Sequence, residues 1–172
     1  RRLADAFRNG ADARALTRVR AQAVEHVVVH VFRACVGEPA DAALFAVGGF
    51  GRGALFPCSD LDLLVLIEPG ALGRHARALE AFFACLWDLG LKPGHAVREL
   101  GECRALASKD VTVFTNLLDA RRLAGSERLA DALDALVDDK TRWPPADYLA
   151  AKRAEQGERF ARFNDTAYNL EP

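Results

Sequence analysis

The sequence contains no methionine and opens on arginine, so its ends read as those of a piece of a longer protein. Cysteine is sparse. Cys35, Cys58, Cys85 and Cys103 form no C-x-x-C pair and no Cys/His group at ligand spacing, which excludes a zinc site and a disulfide scaffold. Three of the four fall among apolar helical residues, where a thiol acts as a small hydrophobe, and a reducing compartment is expected. No uncharged apolar run nears the ~20 residues of a membrane span, and the opening "RRLADAFRNGADARAL" lacks the apolar centre of a signal peptide. A cytoplasmic location with no membrane partner follows. A basic block is missing too: 23 Lys and Arg stand against 24 Asp and Glu, a net charge of -1, so no nucleic-acid partner is expected. Internal repeats and low-complexity segments are lacking. What the chain has is 51% hydrophobic residues over 172 positions, enough for one domain with a real core and tight for two.

Apolar residues recur at helical spacing through "LTRVRAQAVEHVVVHVFRACV" (16–36), and Gly37 with Pro39 stops the run. "AALFAVGG" (42–49) reads as a buried strand ended by glycines, and "DLDLLVLIE" (60–68) as a second one ended by Pro69-Gly70. The short glycine-rich link between them suits a turn or a short helix, not a crossover to a parallel strand. Helical periodicity returns over 72–89, and "LKPGHAVREL" (91–100) looks like a third, half-exposed strand. Helices are then expected over 100–107, 110–124, 126–138 and from Pro144-Pro145 to about Phe163. The fold class is α/β (α+β): an N-terminal helical segment (1–40), an α/β core with a small mixed sheet (41–108) and a helical region (109–172).

In a strand, positions i and i+2 share a face, so Asp60 and Asp62 project together while Leu61 and Leu63 point the other way. Two carboxylates so close raise each other's pKa unless a cation resolves the conflict. Magnesium, a hard ion that takes one or two carboxylates plus substrate phosphates, is the natural occupant; the plain alternative is a pair of aspartates capping a turn. Gly48 and Gly49 sit immediately upstream and, lacking Cβ atoms, let phosphates approach the backbone. Arg52 adds a permanent charge and Ser59 a hydroxyl for phosphate oxygens. No Gly-Lys pair follows, which excludes a Walker loop, and the glycines lead into a strand, which excludes a dinucleotide fingerprint.

Together, "VGGFGRGALFPCSDLDLLVL" resembles the signature of the DNA polymerase beta-like nucleotidyltransferases, a Gly-Gly turn followed about ten residues later by Asp-x-Asp on a strand. The fuller string is similar to that of the bacterial PII-protein uridylyltransferase/uridylyl-removing enzymes, as are "LWDLGLKPGHAVREL", "DVTVFTNLLDARRLAGS" and "DTAYNLEP". The resemblance runs from about residue 18 to the end. It implies the nucleotidyltransferase fold and Mg²⁺-dependent transfer of UMP from UTP to a tyrosine of the PII protein, with pyrophosphate released and Asp60 and Asp62 holding the metal. It further implies a hydrolase domain and glutamine-sensing domains in longer members, none of which these residues contain.

Many members of that superfamily carry a third carboxylate on a neighbouring strand, yet "LKPGHAVREL" has no acidic residue before Glu99. His95 or Asp110 are candidates for the gap, each with an ordinary structural role as the alternative. His26 and His30, one helical turn apart, read as packing residues, and Trp87 and Trp143 as core or domain-edge residues. On the last helix Lys152, Arg159 and Arg162 share a face that leans toward a triphosphate or acidic partner, or is simply solvated; Lys152 is the nucleotide-binding candidate among them. Base choice between UTP and ATP is not legible in a glycine turn, so an adenylyltransferase of the same superfamily, or a nucleotide-binding regulatory domain with weak catalysis, are the competing readings.

Overall fold

Two apolar runs without polar alternation need cover on both faces, and the molecule provides it. The computed structural model describes residues 2–139 and 143–162. Strand β1 (Ala42–Ala46) is buried along its whole length, and β2 (Leu61–Ile67) at every position except Asp62. They pair antiparallel, with Ala46 opposite Leu63, across a link that contains the one-turn helix α3 (Gly48–Gly51), in keeping with the short glycine connection. Strand β3 (Pro93–Glu99) lies parallel to β2 with Asp62 opposite Gly94, and β4 (Arg121–Gly125) lies antiparallel to β1. The sheet order is β3-β2-β1-β4.

Helices α2 (Ala13–Cys35) and α4 (Leu72–Asp88) cover one face, where Val28, Phe32, Phe82 and Leu86 meet Leu44, Leu63 and Val65. Phe32 and Phe82 pack edge to face at 5.4 Å. On the other face α5 (Leu100–Ala107), α6 (Val111–Leu118) and α7 (Glu127–Val137) bring Cys103, Phe114, Leu117 and Leu133 onto Phe45, Leu64 and Leu66. A short α1 (Arg2–Arg8) precedes these elements, and α8 (Pro145–Arg162) docks on α6 through Phe114, Trp143 and Tyr148. Trp143 donates its indole N–H to the Ala107 carbonyl at 2.7 Å, an edge role as expected, whereas Trp87 is largely exposed.

One element differs from expectation. The helix expected over 110–124 ends at Leu118, and Arg121–Gly125 forms β4 instead. Arg, Leu and Ala favour helix locally, but the free edge of β1 offers a ladder of hydrogen bonds that local propensity cannot match. Phe163 and the side chains of Arg159 and Arg162 lie outside the described residues. Among the described residues, no helix is long and apolar enough to cross a membrane.

Candidate active site

Where β1 ends, the Val47 N–H donates to the Asp62 carbonyl at 3.1 Å, and the chain turns at once into α3. That contact sets the glycine turn against the start of β2. Gly48 has φ +55, and a Cβ built there would stand 3.0 Å from Asp62 Oδ2, so the position favours glycine both by backbone and by space. On the opposite side of the same carboxylate, a Cβ on Gly94 would stand 3.2 Å from Asp62 Oδ1. Asp62 is therefore flanked by two residues without side chains.

Asp60, just before β2, and Asp62 are both exposed. They line a cleft of about 410 Å³ together with Gly49, Arg52, Phe56 and Ser59. Partial burial of its carboxyl, and then the charge of Asp60, push the Asp62 pKa above the ordinary carboxylate value. Arg52 reaches into this cleft while pairing with Asp119. Cys58, another lining residue, holds a left-handed backbone at φ 69 that nothing in the sequence signalled. A second, smaller hollow of about 170 Å³ opens on the β3 side, lined by Asp62, Gly94, Ala96, Arg98, Val113 and Asn116 among others. Of the residues lining the two hollows, Asp62 is common to both.

The structure thus brings Asp60, Asp62, Gly48, Gly49, Arg52 and Ser59 together. Lys152 is elsewhere: it pairs with Glu155 on α8 and lines a separate hollow with Leu149, Arg153 and Phe160. Neither candidate for a third metal group joins the two carboxylates in a metal-binding group: His95 also lines the smaller hollow, and each side chain has another partner. The His95 ring stacks on Phe83 at 3.8 Å on the α4 side of the sheet, opposite to Asp62. Asp110 caps α6, accepting from the Thr112 and Val113 N–H groups at 2.7 and 3.3 Å. Glu99, at the far end of β3, accepts from the Gly70 N–H at 3.0 Å and forms a capping box with Glu102. Among the described residues there is no group of three or more His, Cys, Asp or Glu able to hold a metal. His26 and His30 are exposed on α2 instead of packed, because the buried stripe of that helix runs through Ala21, Val28 and Phe32.

Asn116 and Arg98 were not singled out from the sequence. Asn116 Oδ1 comes within 3.8 Å of where a Gly48 Cβ would be, beside Asp62. A lone amide inside the apolar helix "VTVFTNLL" was the available signal.

The family model described as "Putative nucleotidyltransferase DUF294" matches residues 1–95. The chain is 43% identical over 167 residues to the bifunctional uridylyltransferase/uridylyl-removing enzyme of Pseudomonas fluorescens (strain SBW25), an alignment covering 96% of the chain and 19% of that protein. To the protein of the same name from Xanthomonas campestris pv. campestris (strain 8004) it is 44% identical over 171 residues, 99% of the chain and 20% of that protein. The chain therefore spans about a fifth of the length of these curated relatives. A solved toxin-antitoxin structure with AMP-PNP aligns over 82% of this chain and 96% of its own at TM-score 0.40 and 15% identity, too loosely to bear on function. The glycine turn and both aspartates fall inside the matched residues, and the chain belongs to the DUF294 nucleotidyltransferase family.

Proposed function

We propose that this chain transfers UMP from UTP to a tyrosine hydroxyl of the PII signalling protein, releasing pyrophosphate, with Mg²⁺ held by Asp60 and Asp62. The observation that carries the reading is the pair of exposed carboxylates opening on one cleft beside the Gly48-Gly49 turn. The names of the relatives, 41 to 44% identical along nearly the whole chain, supply the uridylyl group. The donor set fits the metal: two hard oxygen ligands leave coordination positions for triphosphate oxygens and water, and a cation would stabilise the Asp62 charge that partial burial, and then Asp60, disfavour. When bound, Mg²⁺ draws charge off the triphosphate oxygens and the departing pyrophosphate. Gly49, Arg52 and Ser59 border the volume in which the phosphates lie, and Arg52 has Asp119 to hold it at the rim. The reaction belongs in the cytoplasm, where the four free thiols stay reduced, and control by glutamine belongs to domains beyond these residues.

The test is transfer of label from UTP to purified PII with Mg²⁺, with EDTA, and with ATP in place of UTP. Labelled tyrosine with UTP and Mg²⁺ alone is the expected result; its absence overturns the proposal, and labelling from ATP instead makes the chain an adenylyltransferase. The shortage of a third acidic group favours a second reading, a nucleotide-binding regulatory domain, for which UTP binding without transfer is the signature.

A further inference from the structure

An in-line displacement at phosphorus places the attacking oxygen and the leaving group on opposite sides of the reacting centre, so its two substrates approach from opposite directions. Asp62 stands between two hollows. It lines both of them; its Oδ2 faces Gly48 beside the Asn116 amide, and its Oδ1 faces Gly94. The larger cleft has the charge, hydroxyl and glycine backbone suited to a triphosphate. At about 170 Å³, the smaller one falls below the ~300 Å³ at which pockets for drug-sized ligands begin, so it suits a single ring and not a nucleotide. Leu64, Ala96, Val113 and Leu117 give it apolar walls, and its polar residues are Asn116, the half-buried Arg98, His95, whose ring turns to the α4 side, and Asp62 itself. Arg98 has no ion-pair partner among the described residues. A flat apolar ring with one polar tip matches that lining, and a guanidinium suits the face of such a ring. The hollow also borders β3, the outer strand of the sheet, where a macromolecule has access.

We infer that the smaller hollow is the acceptor subsite: it receives the aromatic hydroxyl side chain of a protein, and Asn116 orients that hydroxyl beside Asp62. The inference rests on the transfer to tyrosine proposed above. The phenolic oxygen bonds to the α-phosphorus as the α–β phosphoanhydride breaks, pyrophosphate leaves, and the phenolic proton passes to water.

The experiment measures steady-state kinetics with PII as acceptor, and Mg·UTP affinity by calorimetry, for the wild type, Ala96→Leu and Asn116→Ala. Ala96→Leu narrows the hollow from β3, and Asn116→Ala, at an exposed helical position, keeps the test alive if the first variant folds poorly. Expected are a rise of about tenfold or more in the acceptor KM for Ala96→Leu and a fall of about tenfold in kcat/KM for acceptor in Asn116→Ala, with UTP affinity within about twofold of wild type in both. Loss of UTP affinity with an unchanged acceptor KM assigns the hollow to the nucleotide and overturns the inference, as do unchanged constants in well-folded variants. A wild-type protein that labels no tyrosine overturns the parent reading and the subsite with it, and that failure is visible before any variant is made.

Discussion

Gly51 closes α3 at a point where the chain is surrounded by backbone. A Cβ at this position would lie 2.0 Å from the Asp119 carbonyl oxygen, 3.0 Å from its carbon and 3.0 Å from the Ala46 oxygen. None of those atoms is the free end of a side chain. Nor can α3 slide away: Arg121 donates from Nε to the Gly51 carbonyl at 3.2 Å, while its other nitrogens grip Glu25 of α2 at 2.9 and 2.7 Å. Gly51→Ala is therefore an overpacking change without a cheap escape, at the upper end of the ~1 to 3 kcal/mol range for such changes. Better helix propensity returns at most about 1 kcal/mol, which leaves a net loss of about 2 kcal/mol. For a chain of this size that corresponds to a fall of roughly 4 to 8 °C in thermal midpoint. Gly101, inside α5 with nothing within 4 Å of its Cβ position, is the control, and Gly101→Ala should leave the midpoint unchanged or raise it slightly. Circular dichroism melts of the two variants beside wild type decide the matter. A Gly51→Ala midpoint at or above the wild-type value would mean that α3 is not seated against the α6–β4 corner, and the geometry placing Gly48 beside Asp62 would go with it.

Asp62→Asn should abolish transfer while leaving the thermal midpoint unchanged or slightly higher, since burial and Asp60 already disfavour the charge; near-normal UMP transfer by this variant would remove Asp62 from the metal site. Lys152→Ala, at a residue already paired with Glu155 and lining neither hollow, should change Mg·UTP affinity by less than about twofold, and a tenfold loss by calorimetry would show that α8 reaches the triphosphate. Asp41 accepts hydrogen bonds from Arg74 and His75, which hold its pKa down at about 2 from 3.8. A depressed carboxylate stabilises the fold fully above 3.8 and loses that contribution as pH falls toward 2, so melts over this window should drop more steeply for wild type than for Asp41→Asn; parallel curves would refute the linkage.

Much of the site was legible because its chemistry is local. Asp60 and Asp62 are two residues apart, and strand geometry alone puts them on one side; Gly48 and Gly49 are close enough along the chain for the short link to return them there. Residues that meet across the fold were less accessible. Asn116 reaches Asp62 through the packing of α6 on the sheet, and Gly94 through parallel register with β2, neither of which a pattern within one segment encodes. The local pattern of Arg121–Ala124 suits a helix for the same reason, since its conformation is decided by a strand far away in sequence. Lys152 illustrates the reverse: a helical face was legible, but not which way the helix would present it.

The pairing of β1 has a consequence for biosynthesis. Its neighbour β2 follows it almost at once, but the other neighbour, β4, pairs Arg121 with Ala46 and so is made much later. Until Gly125 has left the ribosome, the nascent domain carries an open strand edge built from "AALFA", the kind of apolar ladder on which chains associate. Holding that edge apart during synthesis falls to chaperones or to the speed of translation. Fragments cut in the stretch between Glu99 and Arg121 would keep both aspartates and the glycine turn and still be aggregation-prone, because the smallest piece that closes this sheet extends to Gly125.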